Sequence, residues 1–199
     1  MGTGARQPVR TSDTCPIVVD FLPAEVLPLS GRLGLTLAPG KKAWSQYGPP
    51  WDRDLVTDLE RLRRGYDTQT LVCLLEDQEM EDLKIPDLVP RAESMGMRVF
   101  RFPVPDGSAP SAARAPHYRE LICDTISAVG LGQTVVVHCR GGLGRAGTFS
   151  ACCLITAIGT SPDDAINVVR KARPGAIENR LQEEFIAGYA GSIFNRNRP

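Results

Sequence analysis

The sequence predicts an α/β protein in which a central, mostly parallel sheet is flanked by helices on both faces. Short apolar runs of strand length alternate with longer segments of helical periodicity over the 199 residues, which is typical of this class. The TVVVHC run at residues 134–139 carries three consecutive valines, as strands buried on both faces do. A glycine-rich stretch follows it and leads into a helix. Ligands bind at this position, beyond the carboxyl end of a central strand, in open parallel sheets.

The first half of the chain is expected to supply four strands of this sheet. Leucines at helical spacing add a helix from about Asp52 to a C-cap at Gly65, and residues 40–52 before it are interpreted as a loop. Prolines near helix starts indicate a broken helical region after Glu76. The four strands are predicted at Cys15–Leu22, Arg32–Ala38, Thr70–Glu76 and Met97–Val104.

The second half is expected to be helical apart from the TVVVHC strand. Apolar residues from Tyr118 to Val129 line one face of the first helix, and Ser161 is a good N-cap with Pro162 and two acids in the first turn after it. The predicted helices cover about Pro110–Val129, Ala146–Ile158, Ser161 to the residues before Pro174, and Glu178 to about Tyr189.

The segment that joins the TVVVHC strand to the next helix has the composition of an anion-binding loop with a nucleophile at its base. Cys139 ends the strand and Arg145 follows after five residues. A cysteine reacts as the thiolate, which a helix N-terminus or a nearby cation stabilises. Glycines allow backbone N–H groups to turn inward around an anion, and the guanidinium of Arg145 is suited to binding two phosphate oxygens. We therefore expect a phosphate-binding loop.

The same segment contains a dinucleotide-binding pattern, GxGxxG, at Gly142, Gly144 and Gly147. That pattern should open a βαβ unit, but only helices are predicted after Gly147. A Walker-type loop is also excluded, because Ala146 and Gly147 stand where its GK[ST] lysine would be required.

The run HCRGGLGR at residues 138–145 is similar to the His-Cys-five residues-Arg motif of the cysteine-dependent protein phosphatases, and the chain resembles their dual-specificity members. The resemblance implies a protein tyrosine phosphatase-like fold. It also implies hydrolysis of phosphotyrosine and phosphoserine/threonine in proteins through a cysteinyl-phosphate intermediate. It extends through LGLTLAPGKK (Leu33–Lys42), VPDG (Val104–Gly107) and the stretch Ser161–Glu178, and is strongest to the kinase-associated branch, which suggests a cyclin-dependent kinase as substrate.

The resemblance also implies roles for individual residues. Cys139 is the expected nucleophile, Arg145 the ligand of the equatorial oxygens, and Asp106 the acid that protonates the leaving group and then activates water. His138 is expected to hydrogen-bond the loop in a structural role. Gln182 aligns with a glutamine that positions water, with a solvated helix residue as the alternative. The expected phosphate-binding loop comprises Arg140, Gly141, Gly142, Leu143, Gly144 and Arg145.

One position departs from the family pattern. The family has Ser or Thr directly after the arginine, where the hydroxyl donates to the leaving thiolate, and this chain has Ala146. Thr148 lies about 200° further around the helix and is a poor substitute. We therefore expect slow breakdown of the phosphoenzyme.

Composition limits the other classes of function. The 23 basic and 23 acidic residues balance, which argues against a nucleic-acid-binding surface. No apolar run approaches a membrane span, and the amino terminus lacks a signal core. We expect a cytoplasmic monomer with a mobile tail at residues 1–14 and one phosphatase domain at 15–199. With two histidines and no CxxC pair, neither a metal nor another cofactor is expected.

Three alternatives remain open at this stage. One is hydrolysis of phosphoinositides or other phosphomonoesters, which the absence of lysine between Arg140 and Gly144 disfavours. A second is a slow or non-catalytic phosphopeptide-binding module, and a third is a sulfurtransferase, whose cysteine loop is shorter. By analogy with the fold, Cys73 is a candidate redox partner of Cys139.

Overall fold

The computed structural model describes residues 8–44 and 49–194, and its centre is a five-stranded sheet. The strands of this sheet are β1 (Asp20–Phe21), β2 (Arg32–Thr36), β5 (Thr68–Cys73), β6 (Arg98–Arg101) and β7 (Thr134–His138), and a separate ribbon is formed by β3 (Lys42–Ala43) and β4 (Trp51–Asp52). The spatial order is β1-β2-β7-β5-β6, with β1 antiparallel and all other neighbours parallel. β7 is central, and the predicted fold class is confirmed.

Helices cover both faces of this sheet. On one face Leu59 and Leu88 belong to a core that includes Val136, and on the other Tyr118, Phe149 and Ile186 pack against neighbouring valines of β7. None of the helices in the described residues is long and apolar enough to cross a bilayer. The helices are α1 (Leu55–Glu60, continued by a wider turn to Gly65), α2 (Asp77–Asp82), α3 (Leu88–Ser94), α4 (Ala115–Gly130), α5 (Gly144–Ile158), α6 (Pro162–Ala172) and α7 (Arg180–Phe194).

The first predicted strand is much shorter than expected. Only Asp20 and Phe21 pair with β2, because backbone carbonyls before them bind side chains instead. The carbonyl of Val18 accepts from Thr36 Oγ1 at 2.7 Å, and that of Ile17 accepts from Arg61 Nε at 2.9 Å. An apolar run therefore lies against the sheet without joining it as a ladder.

The segment 40–52, interpreted as a loop, contains the ribbon β3–β4, in which Lys42 pairs with Asp52. Residues 45–48 of this segment lie outside the described residues. The backbone of Arg10 bonds to this ribbon region, donating to Pro50 O at 2.9 Å and accepting from Asp52 N at 3.0 Å. Ser12 Oγ accepts from Asp54 N at 2.9 Å. Part of the predicted tail thus contacts the domain, and residues 1–7 lie outside the described residues.

Candidate active site

The anion-binding loop lies where β7 ends and α5 begins. α5 starts at Gly144, two residues before the predicted start at Ala146, so Arg145 lies in its first turn. The residue before the helix, Leu143, makes no side-chain cap. The first N–H groups of a helix point outward without intrahelical partners, so an uncapped start of this kind offers donors to an anion.

The three loop glycines have different surroundings. Gly142 has φ of +71°, and a Cβ there would lie 2.3 Å from the carbonyl of Thr36. Gly144 permits a close approach, because its Cβ would lie 2.4 Å from Glu178 Oε2. Gly141 would meet no atom nearer than 4.0 Å. Backbone atoms and a positive φ therefore require glycine at Gly142, whereas a side chain at Gly144 would displace the ends of Glu178 and Gln182.

Cys139 lies at the base of the loop with 3% of its surface exposed, beside a buried lysine. Lys41 follows β2 in sequence, and its Nζ donates to the carbonyl of Arg140 at 3.3 Å. Burial lowers the pKa of Lys41 to about 8, although the negative charge available on Cys139 acts in the opposite direction. A cation from outside the motif therefore reaches the loop from the segment between β2 and β3, and the motif alone gave no sign of it.

Arg145 is almost fully buried, and protein groups hold both terminal nitrogens of its guanidinium. Nη1 and Nη2 donate to the two carboxylate oxygens of Glu79 at 2.6 and 2.8 Å, and Nη1 also donates to Val104 O at 2.7 Å. Nη2 donates further to Asp106 Oδ1 at 2.8 Å. Nε is buried and has no partner among the described residues. Displacement of Asp106 from Nη2 thus leaves the edge formed by Nε and Nη2 for two oxygens of a phosphate.

Glu79 is the functional residue that the sequence analysis missed. It lies on α2, where its side chain also accepts from Glu76 N at 3.1 Å and closes a capping box. Burial raises its pKa, but the hydrogen bonds from Arg145 and Glu76 outweigh this and hold the pKa below its usual value. An ionised Glu79 fixes the guanidinium plane. In the sequence it is one of several acids in EDQEMED, so its only local signal is the capping pattern.

Asp106 reaches the same guanidinium from the turn after β6. Its side chain is 56% exposed, and besides the bond from Arg145 it accepts from Gly107 N at 3.1 Å. The start of α7 holds this turn in place, because Asn179 Nδ2 donates to Gly107 O at 2.8 Å. The structure therefore brings Asp106 to the phosphate-binding loop, as the sequence predicted.

Gln182 is buried, not a solvated helix residue. Its Nε2 contacts Ser108 O at 3.4 Å in the Asp106 turn, and its Oε1 accepts from Glu178 N at 2.9 Å. The same amide lies against Gly144, where a Cβ would come within 2.6 Å of Nε2. Gln182 therefore touches both the acid-bearing turn and the phosphate-binding loop.

His138 lies under the loop, where its ring faces the backbone of Cys139. It is fully buried, and neither ring nitrogen has a partner within residues 8–44 and 49–194. Burial lowers its pKa to about 4, although the contact with the backbone of Cys139 acts in the opposite direction. The imidazole is therefore neutral at physiological pH and adds no positive charge beside Cys139.

Cys73 is placed unfavourably for a disulfide with Cys139. It packs with Val136 and Leu75 on one face of the sheet, whereas Cys139 belongs to the core on the other face. Burial raises the pKa of Cys73, which disfavours its thiolate. Within the described part of the chain, no three His, Cys, Asp or Glu side chains are grouped closely enough to hold a metal ion.

The chain matches known phosphatases over most of its length. Residues 54–186 match the family model "PTP-SAK: Swiss Army Knife protein, DSP-PTPase phosphatase domain". Cyclin-dependent kinase inhibitor 3 of Sus scrofa is 28% identical over 182 residues, which cover 90% of this chain and 81% of that protein. Protein tyrosine phosphatase type IVA 3 of Homo sapiens is 32% identical over 136 residues, covering 66% of this chain and 69% of the relative.

Solved structures show the same fold. The kinase associated phosphatase (KAP), crystallised with serine in place of its catalytic-site cysteine, superposes with a TM-score of 0.79 at 24% identity and covers 89% of this chain and 96% of its own. PTPMT1 in complex with PI(5)P superposes with a TM-score of 0.67 at 20% identity and covers 83% of this chain and 94% of its own.

Proposed function

The chain belongs to the dual-specificity branch of the protein tyrosine phosphatases and is a cysteine-dependent phosphatase, and from this premise we propose the roles of its residues. Cys139 is the nucleophile, Arg145 binds the transferred phosphoryl group, and Asp106 is the general acid and base. The observation that carries these assignments is the arrangement around the buried Arg145, where Glu79 holds Nη1 and Nη2, Asp106 reaches Nη2, and Nε has no partner among the described residues.

In the first step the Cys139 thiolate attacks phosphorus, an S–P bond forms, and the bond from phosphorus to the leaving oxygen breaks. A substrate phosphate on the Nε and Nη2 edge of Arg145 takes the place of Asp106 on Nη2, since both are anions and need the same donor. Once displaced from Arg145, Asp106 takes up a proton from solvent, and its carboxyl then gives that proton to the leaving alkoxide or phenoxide. Arg145 and the loop amides stabilise the charge on the equatorial oxygens.

In the second step water attacks the phosphocysteine. Asp106, now a carboxylate, takes a proton from the water as the new P–O bond forms. The S–P bond breaks, and its electron pair returns to Cys139 as the thiolate. Inorganic phosphate leaves. Gln182 is a positioning residue for this step, because it contacts both the Asp106 turn and Gly144.

Ala146 makes the second step slow. Thr148 cannot replace the missing hydroxyl, because its Oγ1 donates to the carbonyl of Gly144 at 2.9 Å inside the helix. We expect Ala146→Ser to raise the steady-state rate, and the wild type to show a burst of p-nitrophenol followed by a slower phase. An unchanged rate together with the absence of a burst would contradict this.

The substrate we propose is a phosphoprotein, with a cyclin-dependent kinase as the first candidate, since a relative over nearly the whole chain is named cyclin-dependent kinase inhibitor 3. Between Arg140 and Gly144 the loop carries one cation, whereas a phosphoinositide headgroup with several phosphates favours more. A cytoplasmic location and a monomeric state stay predictions from the sequence.

Phosphate release from p-nitrophenyl phosphate tests the proposed chemistry. Cys139→Ser should abolish it, and Asp106→Asn should lower it by about 100-fold. Quenching in acid should trap phosphorus on Cys139 in the wild type and leave none on the serine variant. Phosphopeptides and phosphoinositide vesicles assayed side by side then decide the substrate class. Activity equal to that of Cys139→Ser on every substrate would overturn the assignment.

A further inference from the structure

A groove opens beside the phosphate-binding loop, at the carboxyl edge of the sheet. Arg140 is the one residue of the phosphate-binding loop among the residues that line it. Its volume is about 580 Å³, within the range of about 300–1,000 Å³ that is usual for ligand sites. We call it the ribbon groove, because β3 and β4 form one wall. It is lined by Val9, Lys42, Ala43, Trp44, Pro50, Trp51, Asp52, Asp82, Lys84 and Arg140.

Two tryptophans give the ribbon groove an apolar and aromatic surface. Trp44 is 93% exposed, and tryptophan is among the residues enriched at the centres of binding surfaces. Trp51 is fixed by cations on its ring, with Arg10 at 4.8 Å and Lys41 at 4.5 Å from the centroid. The groove therefore presents one rigid and one open aromatic surface to a ligand.

The charges of the ribbon groove leave two cations free to act on a ligand. Lys42 is paired with Asp52. Lys84 and Arg140 have no carboxylate partner among the described residues, while Asp82 accepts from the amide of Gln78 and not from a cation. The balance over these five charged residues is one positive charge, which favours a ligand with one or two negative charges beside an apolar group.

We propose that the ribbon groove binds the polypeptide segment next to the phosphorylated residue of the substrate, and that it selects a large apolar side chain close to an acidic or second phosphorylated one. The inference rests on the proposed function, because Arg140 belongs to both the phosphate-binding loop and the groove and so joins the two sites. A phosphoinositide headgroup fits less well, because it offers no apolar group to pack against Trp44 and Trp51 among the lining residues.

The test compares two phosphotyrosine peptides that differ only beside the phosphotyrosine, one with Leu and Glu and the other with two alanines. For each enzyme the readout is kcat/KM on a peptide divided by kcat/KM on p-nitrophenyl phosphate. Trp44→Ala and Lys84→Glu remove the aromatic surface and one free cation. Leu131→Ala and Arg64→Glu are matched controls, because they are 81% and 80% exposed at the amino edge of β7 and β5, away from the loop.

We expect the wild type to prefer the Leu/Glu peptide by about tenfold or more, through KM, which corresponds to about 1.4 kcal/mol. Trp44→Ala and Lys84→Glu should each remove most of that preference, and the two controls should keep it. The inference would be overturned if Trp44→Ala and Lys84→Glu had the same ratio as the wild type on each peptide. It would also be overturned if these variants lowered only the hydrolysis of phosphoinositides in vesicles. A wild type that does not hydrolyse p-nitrophenyl phosphate would instead refute the proposed function.

Discussion

The buried, unpartnered His138 leads to a quantitative prediction about stability and pH. Its pKa is about 4 in the folded protein, because burial disfavours the charged ring, and 6.5 in the unfolded chain. Between these values the unfolded chain binds a proton that the folded protein does not, so the stability present above pH 6.5 is lost as the pH falls towards 4. Linkage between these two pKa values gives a loss of about 2 kcal/mol from pH 7 to pH 5.

His138→Asn tests this prediction, since asparagine stays neutral throughout. The free energy of unfolding of both proteins is measured with urea at pH 7 and pH 5. The loss between the two pH values should be smaller in the variant by about 2 kcal/mol. The carboxylates contribute equally to the pH dependence of both proteins, so their contribution cancels in the difference between wild type and variant. This holds whatever the absolute stability of the variant. An equal pH dependence in the two proteins, or an NMR titration showing the wild-type ring charged at pH 6, would refute the reasoning.

Three further predictions concern the active site. Glu79→Gln should lower kcat/KM on p-nitrophenyl phosphate by about 100-fold, because Arg145 loses the carboxylate that orients it; a fall of less than threefold would contradict this. Gly142→Ala should destabilise the fold by about 2 kcal/mol and abolish activity, since its φ is +71°, whereas Gly141→Ala should do neither; equal thermal unfolding midpoints would refute the distinction. Burial gives Lys41 a pKa of about 8, so the rate of inactivation by the anion iodoacetate, relative to neutral iodoacetamide, should fall as the pH rises through 8. Lys41→Met should show no such fall, and a fall of the same size in both proteins would exclude Lys41 as its source.

Tertiary contacts corrected one sequence prediction and excluded the alternative to another. The run Cys15–Leu22 has the composition of a strand, but arginine and threonine side chains bind its carbonyls, and only two residues join the sheet. Gln182 has a polar side chain on a surface-like helix pattern, yet the start of α7 packs under the Asp106 turn and buries it. In both cases the deciding partner is distant in sequence, so no local pattern could reveal it.

The sequence by itself determined whatever depends on short spacing along the chain. Cys139 and Arg145 are joined by a loop too short to separate them, and the alternation of apolar runs with helical patterns was enough to indicate a mostly parallel sheet. Asp106 was also within reach of sequence reasoning, because the turn that carries it follows a strand whose carboxyl end meets the same edge of the sheet.

Only the tertiary structure decided how the guanidinium of Arg145 is oriented, what charge His138 carries, and where the ribbon groove opens. Glu79 meets Arg145 across 66 positions of sequence, and Lys41 reaches the loop carbonyl of Arg140 across 99. Such contacts depend on which strands become neighbours and which face a side chain takes. The free energies of burial and charge pairing are therefore settled by packing and not by the order of residues along one segment.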